Sequence, residues 1–431
     1  MNKMLDLFKQ DIASHASGRY IQVKVIPRLK GLTASQNANE EQSDPTGGTA
    51  ESQVTVAQRQ HIWVTTMDEF RKSLVTIHGV FRDMTIDMES SRIKVALIYD
   101  GLELSQLLDY NGIVTAKGQS YYPPSGRTEN PWYRSSDGHG TIMANMIARV
   151  NPWVSLHVLR VHNKRSSNGE RTIFAESAAE AIWGAIRRQV NIISISWTIK
   201  GKNLKTRNHH NENLAPDPDA EAIDKLEAAI AEAVKANILI FCSASDQIEE
   251  DAKDSLPYRM APSYVFRIGA ALPHGQSAPE TEDKGKIDYF FTGTQVAEDF
   301  NPQGSKMPRY HDGSSVGTAL AAGLASLIMY CAAIMREYTK ARPEGRTSAV
   351  QEYYAKVAAA LQNRDNLKQA FDNIGIGKPE DKYLEVWREF GAAADKMAAL
   401  ATKGNDTGEE RNRKKMEELD ELVTRLCHKI E

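Results

Sequence analysis

From about Ile93 the chain alternates short runs rich in β-branched residues with longer segments of helical periodicity, and that alternation restricts the fold more than any other feature. KVALIY (Lys94 to Tyr99), WVSLHVLR (Trp153 to Arg160), NIISISW (Asn191 to Trp197) and NILIFCS (Asn237 to Ser243) read as strands. HGTIMANMIARV, IFAESAAEAIWGAIRRQ and AEAIDKLEAAIAEAVKA read as the helices between them, and YVFRIGA and IDYFFTG as later strands. Strands that are apolar along nearly their whole length must be covered on both faces. The predicted fold class is therefore α/β, a three-layer α/β/α arrangement around a mostly parallel sheet. Functional groups in such a sheet gather at the carboxyl ends of its strands.

The flanks differ in character. Residues 1 to 32 carry no firm period, and residues 33 to 58, polar and poor in apolar groups, read as a flexible linker. The division expected is an N-terminal segment and linker over 1–58, a helical lead-in over 59–90, a core domain over 91–341 and a helical C-terminal extension over 342–431. In the last, Met416, Leu419, Leu422, Val423 and Leu426 fall on one helical stripe, which is expected to pack on the main domain. The uncharged run from Thr318 to Met335 is long enough to cross a bilayer. It is rich in Ala and Gly and follows a polar glycine turn, so it reads as a buried central helix.

A formal net charge of -3 supplies no field to draw in nucleic acid or an anionic membrane, and neither is expected as a partner. Cys242, Cys331 and Cys427 are odd in number and widely spaced, which fits reduced thiols rather than a disulfide framework or a zinc site. Asp and Lys interrupt what would have to be a signal core at the N-terminus, so a reducing, cytoplasmic setting is expected. His209-His210 reads as solvated, and no cofactor or metal is expected.

Three residues qualify for chemistry by position. Asp100 follows KVALIY directly, at a strand's carboxyl end. His139 opens a helix out of the glycine-flanked run SSDGHGT. Ser314 and Ser315 begin a helix just after Gly313, where unpaired N–H groups and positive potential face any developing anion. One serine of the pair is expected to be no more than a cap. His311 is a rival base, set aside because no acid at a strand end accompanies it; Asp137 and Asp312 are alternative acids, set aside as turn residues.

DGHGTIMANMIA resembles the histidine motif of the subtilisin-like serine proteases, DGSSVGTALAAG resembles their serine motif, and YDG resembles their aspartate motif. The likeness covers about residues 90 to 340 and implies that Asp100 orients, His139 acts as base and Ser315 attacks, with Ser314 standing where the family usually has Thr. Gly317 and Ala319 depart from the usual Ala or Ser and Pro, but both are small enough to keep close helix packing. The same mapping makes Ser196, Trp197 and Thr198 the edge that pairs with an extended peptide, the Trp restricting the adjoining pocket.

The family delivers an Asn amide to the oxyanion hole; the matching residue in FCSASDQ is Asp246. Only a protonated carboxyl can donate there, which burial beside ILIFC would favour, and a branch of the related proprotein convertases also carries Asp at this place. The resemblance implies a serine endopeptidase acting on a protein or peptide substrate. Likeness to intracellular fungal subtilase domains extends this to a gasdermin-like substrate in programmed cell death. The alternative is a catalytically weak or inactive subtilase-fold module that binds peptides. An esterase lacks its G-x-S-x-G elbow, and GIGKP lacks the spacing of a phosphate loop. Substrate preference, activation and oligomeric state leave no mark in the sequence.

Overall fold

The computed structural model describes residues 21–24, 61–84, 86–124, 129–165, 171–200, 218–244, 255–278, 286–298, 309–341, 348–377, 382–402 and 407–430. The linker read over 33 to 58, the His209-His210 pair and Asp246 lie outside the described residues.

The strands are β1 (Ile21–Lys24), β2 (Lys94–Tyr99), β3 (Thr115–Ser120), β4 (Ser155–Arg160), β5 (Asn163–Arg165), β6 (Arg171–Ile173) and β7 (Ile192–Ile195). After them come β8 (Ile199–Lys200), β9 (Leu239–Ser243), β10 (Ser255–Leu256), β11 (Val265–Ala271), β12 (Tyr289–Thr292), β13 (Val296–Ala297) and β14 (Tyr310–His311). Eight of them form one sheet in the order β1-β3-β4-β2-β7-β9-β11-β12, all parallel except for the antiparallel edge strand β1. β2 sits at its middle, buried from Val95 to Tyr99. Burial on both faces explains why the sequence alternates so little along these strands.

The helices are α1 (Ile62–Asp83), α2 (His139–Val150), α3 (Ala175–Arg187), α4 (Pro218–Lys235), α5 (Ser314–Ala341), α6 (Ser348–Ala360), α7 (Arg364–Ile374), α8 (Ala392–Thr402) and α9 (Gly408–Leu426). α3 packs on α4, on β2 and on β4, while α5 packs on α2 and across β7, β9, β11 and β12. The fold is the three-layer α/β/α arrangement with helical extensions at both ends.

The apolar run that could have spanned a membrane lies in α5, and its most apolar 18-residue window is 100% buried. Small residues allow this: a Cβ added at Gly323 would come within 2.9 Å of Val150 Cβ on α2. The C-terminal stripe of Met416, Leu419, Leu422, Val423 and Leu426 is buried against the rest of the fold, α9 packing on α1, α5, α7 and α8. Cys242, Cys331 and Cys427 are buried free thiols, and burial pushes the pKa of Cys242 and of Cys427 up to about 12.

Candidate active site

The central strand β2 ends at Tyr99 and delivers Asp100 into a fully buried position at the sheet's carboxyl edge. A buried carboxylate requires donors. Asp100 Oδ2 accepts from Ser135 Oγ at 2.6 Å and from the Asp137 N–H at 2.9 Å, and Oδ1 accepts from the Gly140 N–H at 2.6 Å. Gly140 lies in the first turn of α2, so the helix carrying His139 is tied directly to Asp100. That approach needs glycine: a Cβ at Gly140 would sit 2.2 Å from Gly101 O and 2.6 Å from Asp100 Oδ1. The His139 ring lies against Tyr99, their centroids 4.9 Å apart.

The donor loop is itself held by Arg160 at the end of β4. Its guanidinium donates to Pro131 O at 2.9 Å and to Ser136 Oγ at 2.8 Å. Burial lowers the Arg160 pKa, and the Asp100 charge opposes that shift. Neither Ser135 nor Arg160 was singled out from the sequence. Arg160 left a signal, a full charge closing a buried strand; Ser135 left only its place in the run before His139.

The serine pair is sorted by burial. Gly313, at φ 118°, makes a turn closed to L side chains, and α5 starts immediately after it. Ser314 is fully buried and its Oγ accepts the Ala270 N–H of β11 at 3.1 Å, so this hydroxyl is a fastening between helix and sheet. Ser315 is half-buried at the helix start, and its Oγ has no hydrogen-bond partner among the described residues. Close packing at Gly317 is retained, a Cβ there lying 3.2 Å from Gly269 O.

The ladders joining β7 to β2 and to β9 end at Ile195, and Ser196 to Thr198 run beyond them until β8 begins at Ile199. Trp197 is turned inward, buried, with its indole N–H on Ile98 O at 2.8 Å; Thr198 is exposed. The Ser196 hydroxyl is buried and unpartnered among the described residues.

One expectation is corrected. His311 does have an acid partner, Glu298, at 2.6 Å. The β13–β14 pairing sets Val296 opposite His311 and brings Glu298 alongside, a neighbour that sequence separation hides. Of the alternative acids, Asp312 accepts the Gln295 N–H at 2.7 Å and so closes a turn, and Asp137 offers its own N–H to Asp100.

A parallel three-layer sheet with Asp at the end of its central strand and His and Ser at the starts of two helices, in that chain order, places the molecule in the subtilisin-fold class. The family model of the subtilase family (Peptidase_S8) matches residues 90–377, well over half the chain. The chain belongs to the subtilase family.

Among known proteins it is similar to "Subtilisin-like protease het-Q2" of Podospora anserina, 36% identical over 110 residues, which are 26% of this chain and 26% of that protein. It is also similar to "Intracellular serine protease" of Paenibacillus polymyxa, 25% identical over 222 residues, 49% of this chain and 60% of that one. The chain thus spans less than two thirds of either relative's length. Among solved structures it is similar to a lanthipeptide protease (TM-score 0.44, 17% identity, 71% of this chain and 91% of that one). Another is the epidermin leader peptide processing serine protease of Staphylococcus aureus (TM-score 0.48, 14% identity, 70% and 76%).

Proposed function

We infer that the chain is a serine endopeptidase in which Ser315 is the nucleophile, His139 the base and Asp100 the acid that orients it. The observation that carries this reading is the division between the serines: Ser314 Oγ is committed to a sheet N–H, whereas Ser315 Oγ stands half-buried at a helix start. Asp100, fixed by three donors beneath the turn that carries His139, supplies the second support.

In the reaction Ser315 Oγ attacks a peptide carbonyl while His139 takes the hydroxyl proton, then returns it to the leaving amine. Water attacks the resulting acyl-enzyme with the same imidazole as base. For this the His139 ring must lie between Asp100 and Ser315, a contact that commonly tightens when substrate arrives. Asp246 supplies a donor to the oxyanion when protonated. Ser196, Trp197 and Thr198 offer backbone to an extended substrate strand.

The catalytic unit is assigned to 91–341, between the N-terminal segment and the helical extension, and the setting to the cytoplasm. The finer reading carried by the likeness to fungal subtilase domains is a gasdermin-like substrate in programmed cell death. Mapping cleavage of such a protein by wild type and by Ser315→Ala tests it.

Labelling with a serine-directed fluorophosphonate tests the chemistry. Labelling that Ser315→Ala abolishes is the expected result. Folded wild-type protein that takes no label would instead support a module that binds peptides without cutting them.

A further inference from the structure

The serine turn is seated on the end of β12. The Gly313 N–H donates to Gly293 O at 2.7 Å, the Gln295 N–H to Asp312 Oδ1 at 2.7 Å, and β13 pairs with β14 immediately before Gly313. What holds this seat from the other side lies outside the subtilase match. His61, the residue just before α1, is buried, and its Nε2 is 2.6 Å from Thr294 O. Its Nδ1 meets the hydroxyl of Thr292, itself fully buried. A carbonyl oxygen can only accept, so Nε2 carries the proton and Nδ1 is left to accept from Thr292. Burial, with a smaller effect from Arg149, holds the His61 pKa below the usual histidine value, in keeping with a neutral ring.

A second grip lies about two turns further along α1. Asp68 accepts from Arg149 Nε at 3.0 Å and from Nη2 at 2.6 Å, and Arg149 Nη1 donates to Ala297 O at 2.6 Å. Arg149 belongs to α2, the helix that opens with His139. The start of α1 is thus bonded both to the helix bearing the base and to the segment seating the nucleophile.

We propose that His61 is a positioning residue for Ser315, fixing Thr292 and Thr294 so that the Gly293 carbonyl holds Gly313 and the start of α5 in register. The N-terminal lead-in then helps to assemble the site. This rests on Ser315 being the nucleophile, and the experiment separates the two claims.

The full chain and its variants are titrated with a fluorophosphonate, and the maximal labelling rate at Ser315 is resolved from the apparent affinity. His61→Ala should lower the maximal rate about tenfold or more with affinity nearly unchanged, since displacing a reacting group by 1 Å costs as much as 10²-fold. His61→Gln, which keeps an N–H where Nε2 stood, should restore most of the rate. Amide exchange at Gly313 should quicken in His61→Ala and not in His61→Gln. Should His61→Ala fail to fold, Thr292→Val removes the hydroxyl at constant shape and is expected to slow labelling in the same way. An unchanged maximal rate in a folded His61→Ala or Thr292→Val protein overturns the proposal and leaves Ser315 as nucleophile. Rate and affinity falling together without rescue by Gln also overturns it, as the mark of a merely structural role. Wild type that does not label at Ser315 overturns both claims.

Discussion

Replacing Ser314 and Ser315 by alanine one at a time should produce opposite phenotypes from adjacent residues. Ser314→Ala takes the acceptor away from the Ala270 N–H, which sits with Ser314 in a fully buried contact. Removing the partner of a buried backbone donor costs about 1–3 kcal/mol. For a chain of 431 residues, with unfolding entropy of about 2.1 cal/mol/K per residue, this lowers Tm by about 1–3 °C. Ser315→Ala removes a half-buried hydroxyl bonded to none of the described residues, so its effect on stability should stay within about 0.5 kcal/mol.

Thermal melts followed by circular dichroism give the stability, and intact-mass spectrometry after fluorophosphonate treatment gives the stoichiometry of labelling. Ser314→Ala should melt early and still label; Ser315→Ala should melt with wild type and take no label. The reverse pattern, Ser315→Ala labelled and Ser314→Ala inert, refutes the reasoning. So does a Ser315→Ala protein that melts as early as Ser314→Ala.

His157, buried in β4, has its pKa pushed down to about 3, first by burial and then by Lys117, Arg188 and Lys94. Above pH 6.5 neither state carries its proton, but below that value the unfolded chain takes up a proton the fold refuses, so stability falls by about 2 kcal/mol at pH 5 and levels off near pH 3. His157→Leu should flatten this limb in urea titrations at pH 7 and pH 5; an identical pH dependence rules the assignment out. Gly140→Ala drives a methyl into Gly101 O and Asp100 Oδ1, and should slow labelling about 10²-fold in protein that remains folded by circular dichroism. Equal labelling rates would show that the contact between α2 and Asp100 is dispensable. Asp246→Asn should leave labelling equal or faster near neutral pH, because an amide donates without needing a proton. Complete loss in a folded variant speaks against Asp246 as the oxyanion donor.

The parts of the fold legible in the sequence are those where one physical cause dominates. Lys94 to Tyr99 and the helix opening at His139 were plain because burial on both faces makes strands continuously apolar, and a helix on a sheet needs an apolar stripe. The strand Thr115–Ser120 was missed because TAKGQS has the composition of a loop; its pairing with β4 and β1 makes it a strand. Ser314 and Ser315 could be separated in sequence only by family resemblance, since both are equally good at a helix start. Burial separates them physically. The contacts of His61 with Thr292 and Thr294 join residues more than two hundred positions apart, and no local pattern encodes such a meeting.

That distant meeting bears on where the functional unit ends. The subtilase match begins at residue 90, yet Trp63, Phe70, Leu74, Ile77 and Phe81 of α1 are almost wholly buried in the same core as the sheet. Trp63 lies edge-on to Phe291 of β12 at 5.7 Å, and Phe70 meets Phe390 of the C-terminal extension at 5.0 Å. Burying five such side chains contributes about 8–15 kcal/mol as an upper figure, which is as large as the whole net stability of an ordinary domain. The edge of family likeness at residue 90 is therefore not an edge of folding. α1 completes the core with residues that precede the family match, and with it comes the histidine bonded beneath the serine turn.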